Sequence, residues 1–354
     1  MYVISTGMAC PVGLSVDAAC AAIRAGIANF VELPYLDRQG QPIIGSMIPG
    51  SPLEMTLEER LIKMLCIAIT NCLKTGLLED LREIPLLIGL AEPERPGGGA
   101  GLKNSIIHEV ERRLKCRFHP RLSGVITRGH TSSFEALALT RTLFQRGEVS
   151  TTIICGVDSY INARSLLWLD NHLRLKTAYN SDGIIPGEMA SAALIKSSPT
   201  GDVVLKITGV GFGYESANVL SEEPFLAYGL TEAARAALKE AEIQMHEVDM
   251  RISDITGESY SFKEQSLMLA RLMRSRKEEM PIWHVSDSIG DTGAAVGTCL
   301  LATAFYGFKK NYAPGRLALC FTSSVAGSRA AVILQHLSSE TAGLSEYRQK
   351  GLVK

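Results

Sequence analysis

Short runs of apolar residues alternate along the chain with longer segments in which apolar residues recur every three or four positions. In the first part of the chain the short runs predict strands at residues 2–7, 85–91, 124–127, 151–157 and 190–196. The longer segments predict helices over residues 58–73 and 134–147. One connecting segment, PERPGGGAG (93–101), is rich in glycine and predicts a flexible excursion. This alternation of strands and helices is typical of an α/β protein.

The same pattern restarts after the polar segment SSPTGD. Strands are predicted at residues 203–211, 249–256, 281–286, 316–323 and 329–335, with helices over 231–242 and 294–308. Because this order resembles the first, we expect two topologically similar halves that pack around a shared core. The predicted division places the first half at 1–198, the second half at 199–337 and a polar tail at 338–354.

Composition excludes several classes of partner and location. The 354 residues include 36 Lys and Arg against 37 Asp and Glu, without a long block of one charge, so neither nucleic acid nor an anionic membrane is an expected partner. No apolar run approaches the roughly 20 residues of a membrane span, and the N-terminus lacks a signal-peptide pattern. The eight cysteines include no CxxC pair and most lie in apolar runs, which indicates reduced core residues in a cytoplasmic protein.

The segment TRGHTSSF is the strongest local candidate for chemistry. It follows the strand at 124–127 and precedes a helix predicted to begin at His130, with a tight turn at Gly129. Three hydroxyl residues of the N-cap type follow the histidine: Thr131, Ser132 and Ser133. A strand-to-helix elbow lifts one side chain into a cleft, beside backbone N–H groups that can bind an oxyanion. His130 therefore either takes part in chemistry or simply caps the helix in a polar pocket.

Over nearly the whole chain, longer motifs resemble the β-ketoacyl synthase family of the thiolase-like fold. The opening VISTGMACPVGLSVDAACAAIRAG resembles the family's first strand and turn, and HTSSFEALALTRTLFQRGEVSTTIICGVDSY resembles its nucleophile helix and next strand. NSDGIIPGEMASAALIK resembles its Asp-Gly and Gly-Glu signature, and SDSIGDTGAAVGTCLLA its second histidine loop. The resemblance implies an α/β fold of five layers, α/β/α/β/α, built from two similar halves, and an acyltransferase ancestry in fatty acid or polyketide biosynthesis.

The chain departs from the family where the resemblance places the reacting groups. The positions of the catalytic cysteine and two histidines are occupied by His130, Asp254 and Asp291, with Ser286 in place of a lysine and Val325 in place of a gating aromatic residue. Four further residues are expected to line the cleft: Ser132, Ser133, Thr256 and Thr292. An acyl-imidazole is more labile to water than a thioester, and carboxylates repel a developing enolate. Decarboxylative condensation is therefore not expected.

Three hypotheses follow for the cleft. In the first, the protein is non-catalytic: His130 pairs with Asp254 or Asp291, and the cleft binds an acyl chain, a pantetheine arm or a partner, or is structural. In the second, an acyltransferase or thioesterase uses His130 as base while Ser132, Ser133 or water attacks. In the third, the histidine and two carboxylates hold a divalent ion, although their spacing matches no metal signature. Neither a metal nor another cofactor is predicted.

The resemblance also implies partners. We expect a homodimer in which the strand at 151–157 pairs edge to edge with its twofold mate. A heterodimer with an active ketosynthase is the alternative, and an acyl carrier protein or acyl-CoA is a candidate ligand. An accessory role, as for degenerate relatives in bacterial secretion gene clusters, is a further expectation from the resemblance.

Overall fold

A computed structural model describes residues 1–50, 54–75, 81–200 and 203–337. The strands are β1 (Tyr2–Ala9), β2 (Val31–Leu36), β3 (Pro42–Gly45), β4 (Leu86–Leu90), β5 (Gly124–Thr127), β6 (Thr151–Ser159), β7 (Glu188–Lys196), β8 (Val204–Tyr214), β9 (Met250–Ser253), β10 (Ile282–His284), β11 (Leu317–Ser323) and β12 (Ser328–Leu337). The helices are α1 (Val16–Arg24), α2 (Leu57–Thr75), α3 (Ile106–Leu114), α4 (Ser132–Gln145), α5 (Ala163–Asn171), α6 (Tyr228–Glu240), α7 (Ser259–Leu272), α8 (Ser286–Ile289) and α9 (Val296–Lys309). Every predicted strand and helix overlaps one of these elements, while the predicted tail lies outside the described residues.

Ten strands form one continuous sheet with an internal repeat. Its order divides into a first-half sheet, β5-β4-β6-β7-β1, and a second-half sheet, β8-β12-β11-β9-β10. Counted in chain order within each half, both run 1-5-4-2-3 from the junction outward. The two meet where Tyr2 and Val3 of β1 pair with Lys206 and Leu205 of β8. The topology thus has the expected duplication, whereas the division into domains at residues 198 and 199 stays a prediction.

Helices on both faces of the sheets complete five layers. Helix α2 covers the outer face of β1, β7 and β6, and α6 and α7 cover the outer face of the second-half sheet. Helices α4 and α9 lie between the two sheets and contact each other. Helix α9 is buried from Val296 to Phe305 because apolar and small residues occupy all its faces. Within the described ranges, no helix is long and apolar enough to cross a bilayer.

Most cysteines belong to these packed layers, as the sequence indicates. Six of the eight are buried. Burial raises the pKa of the Cys10 and Cys20 thiols to about 12, with smaller opposing contributions from hydrogen bonds. Both thiols are therefore protonated and unreactive near neutral pH.

Two equivalent turns position the residues of interest, and we call them the elbows. The first elbow, Gly129–Thr131, joins β5 to α4, and the second, Gly293–Ala295, leads into α9. Gly129 and Gly293 have φ of 55° and 50°, where a side chain would also collide with a neighbouring carboxylate. His130 therefore lies in a 3-10 turn, and α4 begins two residues later than predicted. Thr131 does not cap it, because its hydroxyl donates to the carbonyl of Arg128 instead.

The predicted dimer edge is wrong. Strand β6, which contains residues 151–157, pairs with β4 on one side and β7 on the other, so it has no unpaired edge. Its continuous apolar run reflects a central strand buried on both faces. The outermost strand of the first-half sheet is β5, and that of the second-half sheet is β10.

Candidate functional site

The two elbows bring His130 and Asp291 into direct contact. His130 Nε2 lies 2.9 Å from Asp291 Oδ1, and each residue is only 4% exposed. Asp291 Oδ1 also accepts a hydrogen bond from the backbone N–H of Gly293 at 2.9 Å. The loop before α9 thus fixes the histidine at the start of α4. Of the two predicted pairings, the one with Asp291 forms, while Asp254 accepts from the backbone N–H of Ser323 at 2.7 Å.

Burial and neighbouring charges shift the pKa values of His130, Asp291 and Asp254. Burial alone would lower the pKa of His130, but the Asp291 carboxylate, its hydrogen bond, Asp254 and Glu92 outweigh burial and raise that pKa to about 9. Burial would raise the pKa of Asp291, but the charge and hydrogen bond of His130 lower it overall. Burial raises the pKa of Asp254 to about 7, against opposing contributions from His130 and the Ser323 N–H. Near neutral pH the pair is therefore an imidazolium and a carboxylate, and a protonated histidine is neither a base nor a nucleophile.

The cavity around this pair is small. Its volume is about 30 Å³, enough for one or two water molecules, and its wall includes His130, Asp254 and Asp291. The predicted Thr256 and Val325 also line it. A thioester-bound acyl chain needs far more space than this.

Four predicted lining residues lie elsewhere, so that part of the prediction is wrong. Ser132 Oγ donates to the carbonyl of Leu90 on β4, and Ser133 packs against Gly297 of α9. The helical rotation of α4 turns both serines toward the sheet and the central layer rather than toward the cavity. The other two, Ser286 at the start of α8 and Thr292, are buried but do not reach the cavity wall.

Two buried ion pairs occupy the space beside His130, and sequence patterns gave no sign of either. Arg174 donates from Nε and Nη2 to the two carboxylate oxygens of Glu258, both at 2.7 Å. Arg329 Nε donates to Glu264 at 2.7 Å, and its Nη2 to the Tyr260 hydroxyl at 3.0 Å. Four of these side chains form part of the cavity wall: Arg174, Glu258, Tyr260 and Arg329. Charged groups therefore form much of the wall of the cavity around His130.

A third buried pair ties the glycine-rich segment to the site. Arg95, inside PERPGGGAG, pairs with Asp158 of β6 and stacks on Tyr160 with its guanidinium carbon 4.0 Å from the ring centroid. Asp158 also accepts from the backbone N–H of Ala294 at 2.9 Å, in the second elbow. The segment is thus anchored by a buried arginine, which corrects its interpretation as a flexible excursion.

A larger cavity shares Val325 with the small one. Its volume is about 530 Å³, and its walls include Trp168, Leu220 and Ala326 as well as Arg95. Val325 therefore stands between the space around His130 and a cavity large enough for a small organic molecule.

The geometry also bears on the hypotheses of an acyltransferase or thioesterase and of a metal site. Among the described residues, no hydroxyl group is hydrogen-bonded to His130, whose Nδ1 is buried without a partner. The predicted attack by Ser132 or Ser133 lacks the base contact it requires. The described ranges also contain no group of three His, Cys, Asp or Glu residues placed to hold a metal ion.

Comparisons of the whole chain with known proteins identify its fold. No protein-family model matches the chain, and no curated protein sequence matches it. A ketosynthase domain for oxazolomycin from Streptomyces albus JA3453 is similar in structure, with a TM-score of 0.75, 16% identity, and coverage of 95% of this chain and 75% of that chain.

Two further solved structures cover both chains almost completely. One is a ketosynthase in complex with its chain length factor from Xenorhabdus doucetiae, with a TM-score of 0.72, 15% identity, and coverage of 95% and 98%. The other is a β-ketoacyl synthase from Burkholderia phymatum STM815, with a TM-score of 0.72, 14% identity, and coverage of 95% and 99%. The chain therefore has the thiolase-like fold of the ketosynthases.

Proposed function

We propose that this protein is a ketosynthase-like subunit without condensing activity that acts as a non-catalytic partner or accessory protein in the cytoplasm. The observation that carries this proposal is the state of His130 at the position of the family's thiolate. It is held as an imidazolium by Asp291, in a cavity of about 30 Å³. A protonated histidine cannot accept an acyl group, and the cavity has no room to hold one.

The carboxylates support the same proposal. By the resemblance in sequence, Asp254 and Asp291 correspond to the family's histidines, which stabilise the negative charge of an enolate. A carboxylate raises the energy of such a charge, so the transition state of decarboxylative condensation would be destabilised at this site. Both the acyl-holding group and the enolate-stabilising groups are thus unsuited to the reaction.

The partner would bind at β5. All four residues of this outermost strand, Gly124–Thr127, are half-buried, and the strand ends at a groove of about 880 Å³. Phe212 and Tyr214 are exposed beside this groove. An outer strand next to exposed aromatic residues favours pairing with a second copy of the chain or with an active ketosynthase. The chain length factor that accompanies one structural neighbour is a precedent for such a pair.

If substrates bind at all, they would bind outside the small cavity. The cavity of about 530 Å³ beyond Val325 has Trp168 and Leu220 in its walls, which suits an acyl chain or a pantetheine arm better than the space around His130 does. Acyl-CoA and an acyl carrier protein therefore remain candidate ligands of the proposed accessory protein.

Intact-mass analysis tests whether the protein lacks acyl-transfer and condensing activity. Wild-type protein and His130→Ala are incubated with acyl-CoA, malonyl-CoA and acyl carrier protein, with an active ketosynthase as positive control. We expect no covalent adduct and no release of thiol from either variant, with thermal melting showing that both are folded. Turnover or a transient adduct that disappears in His130→Ala would contradict the proposal.

Turnover that depends on His130 would favour the alternative function, an acyltransferase or thioesterase. The observation in its favour is Asp254, whose pKa of about 7 would allow it to exchange a proton near neutral pH beside His130. Loss of the same turnover in Asp254→Asn would assign that role to the aspartate.

A further inference from the structure

A separate cavity lies at the opposite border of the second-half sheet, against the outermost strand β10. Its volume is about 390 Å³, and it is bounded by α1, β10, the start of α8, the middle of α9 and Tyr312. None of its lining residues belongs to the site around His130. The volume falls in the range of roughly 300–1,000 Å³ that is typical of sites for small molecules.

The walls of this cavity are aromatic. Trp283 of β10 and Tyr312 lie with ring centroids 5.6 Å apart at an angle of 36°. The Trp283 ring packs closely against Gly307, where an added Cβ would lie 3.0 Å from the ring. Cys20 and Thr303 line the inner part, and the Cys20 thiol is neutral because burial raises its pKa to about 12. The interior therefore offers flat, uncharged surfaces.

The polar groups at this cavity are mainly donors without partners. The Arg24 guanidinium is exposed to solvent at the rim of the cavity, lies with its carbon 3.9 Å from the Tyr312 ring centroid, and makes no ion pair with any described residue. Neither the Trp283 indole N–H nor the Tyr312 hydroxyl is hydrogen-bonded to another described residue. The rim also carries one acceptor, Asp287, which lies 3.6 Å from His284 Nδ1.

We propose that this cavity binds a small planar aromatic carboxylate, with its ring against Trp283 and Tyr312 and its carboxylate on Arg24. An arginine stacked on an aromatic ring presents a planar fork of donors that matches a carboxylate. A single unpaired cation with Asp287 nearby suits a monoanion, since a phosphate dianion would be repelled by that carboxylate. The aromatic walls favour a flat ring over a flexible acyl chain.

Fluorescence of Trp283 gives a direct measurement. The chain has two tryptophans, so full-length Trp168→Phe leaves Trp283 as the only indole reporter. This variant is titrated with 4-nitrobenzoate, whose nitro group quenches indole fluorescence on contact, and with neutral 4-nitrobenzamide. We expect saturable quenching by both compounds, with the carboxylate binding about tenfold more tightly than the amide.

Three variants assign the effect to the cavity. Arg24→Gln in the Trp168→Phe background should reduce carboxylate affinity about tenfold and leave amide affinity unchanged. Arg235→Gln, at an exposed arginine on α6, is the matched control and should change neither affinity. Trp283→Phe, which retains Trp168, should show no saturable quenching. Thermal melting of each variant confirms that it is folded.

Several results would overturn the proposal. One is the absence of saturable quenching in Trp168→Phe. Another is binding in which carboxylate and amide have equal affinity, or in which Arg24→Gln and Arg235→Gln have the same effect. Quenching confined to the variant that retains Trp168 would likewise contradict it, because the ligand would then lie in the cavity beside Val325.

Discussion

The charge on His130 is controlled by carboxylates that come from three separate segments of the chain. Asp291 bonds to its ring directly, while Asp254 and Glu92 act at longer range. A buried ion pair of this kind gains little net stability, but breaking one partner leaves an uncompensated charge. The pair therefore links the protonation of one residue to the stability of the region between the elbows.

Stability should depend on pH through this histidine. A folded-state pKa of about 9 for His130, against 6.5 for an unperturbed histidine, gives stabilisation that is complete below pH 6.5 and lost as pH rises through 9. The loss should be on the order of 2–3 kcal/mol. Urea unfolding between pH 6.5 and 9 measures it, and His130→Gln should show a flatter pH profile in this window. An unchanged slope in the variant would contradict the assignment.

Asp254 should make stability depend on pH in a lower pH range than His130 does. Its folded-state pKa of about 7 lies above its ordinary value of 3.8, so the folded protein loses stability as pH rises from 4 to 7. Asp254→Asn keeps an acceptor for the Ser323 N–H and should flatten the profile mainly in that range, with a smaller change above pH 7 because Asp254 also raises the pKa of His130. If Asp254→Asn changed the pH profile only above pH 7, the loss of stability between pH 4 and 7 would not be due to Asp254.

The Arg174–Glu258 pair should contribute more to specificity of structure than to net stability. Both residues are buried and bound through two parallel hydrogen bonds. Arg174→Met or Glu258→Gln alone should lower the free energy of unfolding by about 3–5 kcal/mol, and the double variant Arg174→Met/Glu258→Leu by less than either single change. Urea unfolding of all three tests this. Arg112→Met, in the exposed pair with Glu109, is the control and should have no measurable effect.

At the residue scale, sequence reasoning selected three residues that the structure brings to one small cavity, but not the charged residues around them. His130 was singled out by its place between a strand and a helix, and Asp254 and Asp291 by the resemblance to the ketosynthase family. Arg174 and Glu258 are separated by 84 positions, and each is a single charged residue in an irregular segment. No local pattern distinguishes such a residue from a solvated one, so only the three-dimensional fold reveals the pair.

The elbows are the elements that determine where His130 stands. Each begins with a glycine in the left-handed region, and each glycine faces a carboxylate: Glu92 for Gly129 and Asp158 for Gly293. These carboxylates are themselves held, Glu92 by Ser324 and Asp158 by Arg95. The requirement for glycine is therefore steric as well as conformational.

Gly129→Ala should be severely destabilising. It combines a left-handed backbone conformation with a collision against Glu92, and the expected loss exceeds about 3 kcal/mol. Gly147→Ala is the matched control, because Gly147 has φ of 67° but open space around its Cα, and should cost about 1 kcal/mol. Thermal or urea unfolding compares the two. Equal losses would show that the collision with Glu92 is relieved without cost.

Element prediction succeeded where burial gives a clear signal. Inner strands such as β4 and β6 were predicted because their continuous apolar runs mark strands buried on both faces. The hairpin of β2 and β3 was missed, since its alternation is interrupted by Pro34 and several of its residues are exposed. Helices α1, α3, α5, α7 and α8 were also missed; α3, for example, is amphipathic but spans only nine residues, too few for its apolar period to stand out.

At the scale of the whole molecule, β5 is the strand through which a second copy would pair. A side chain added at Gly124 would meet nothing within 4 Å, so Gly124→Lys should leave the protomer intact while placing like charges across a twofold axis. Light scattering should give twice the protomer mass of 38.3 kDa for the wild type and the protomer mass for this variant.

An exposed position beside the sheet supplies the control for that experiment. Ser150→Lys precedes β6 and should leave the dimer unchanged. A wild-type protein that is monomeric when purified alone would contradict the homodimer. A Gly124→Lys protein that remains dimeric would show that the contact lies away from β5.

The order of strands in the first half has a consequence for how the chain is made. Strand β1 pairs with β7, so β1 has no neighbouring strand in its sheet until β7 has been synthesised. The inner face of β1 and β7 is then covered by α9, which begins only at Val296. During translation the apolar inner face of the first-half sheet therefore stays uncovered until α9, which lies far downstream of β7, has been synthesised. Nascent chains should accordingly need protection by chaperones until α9 has emerged.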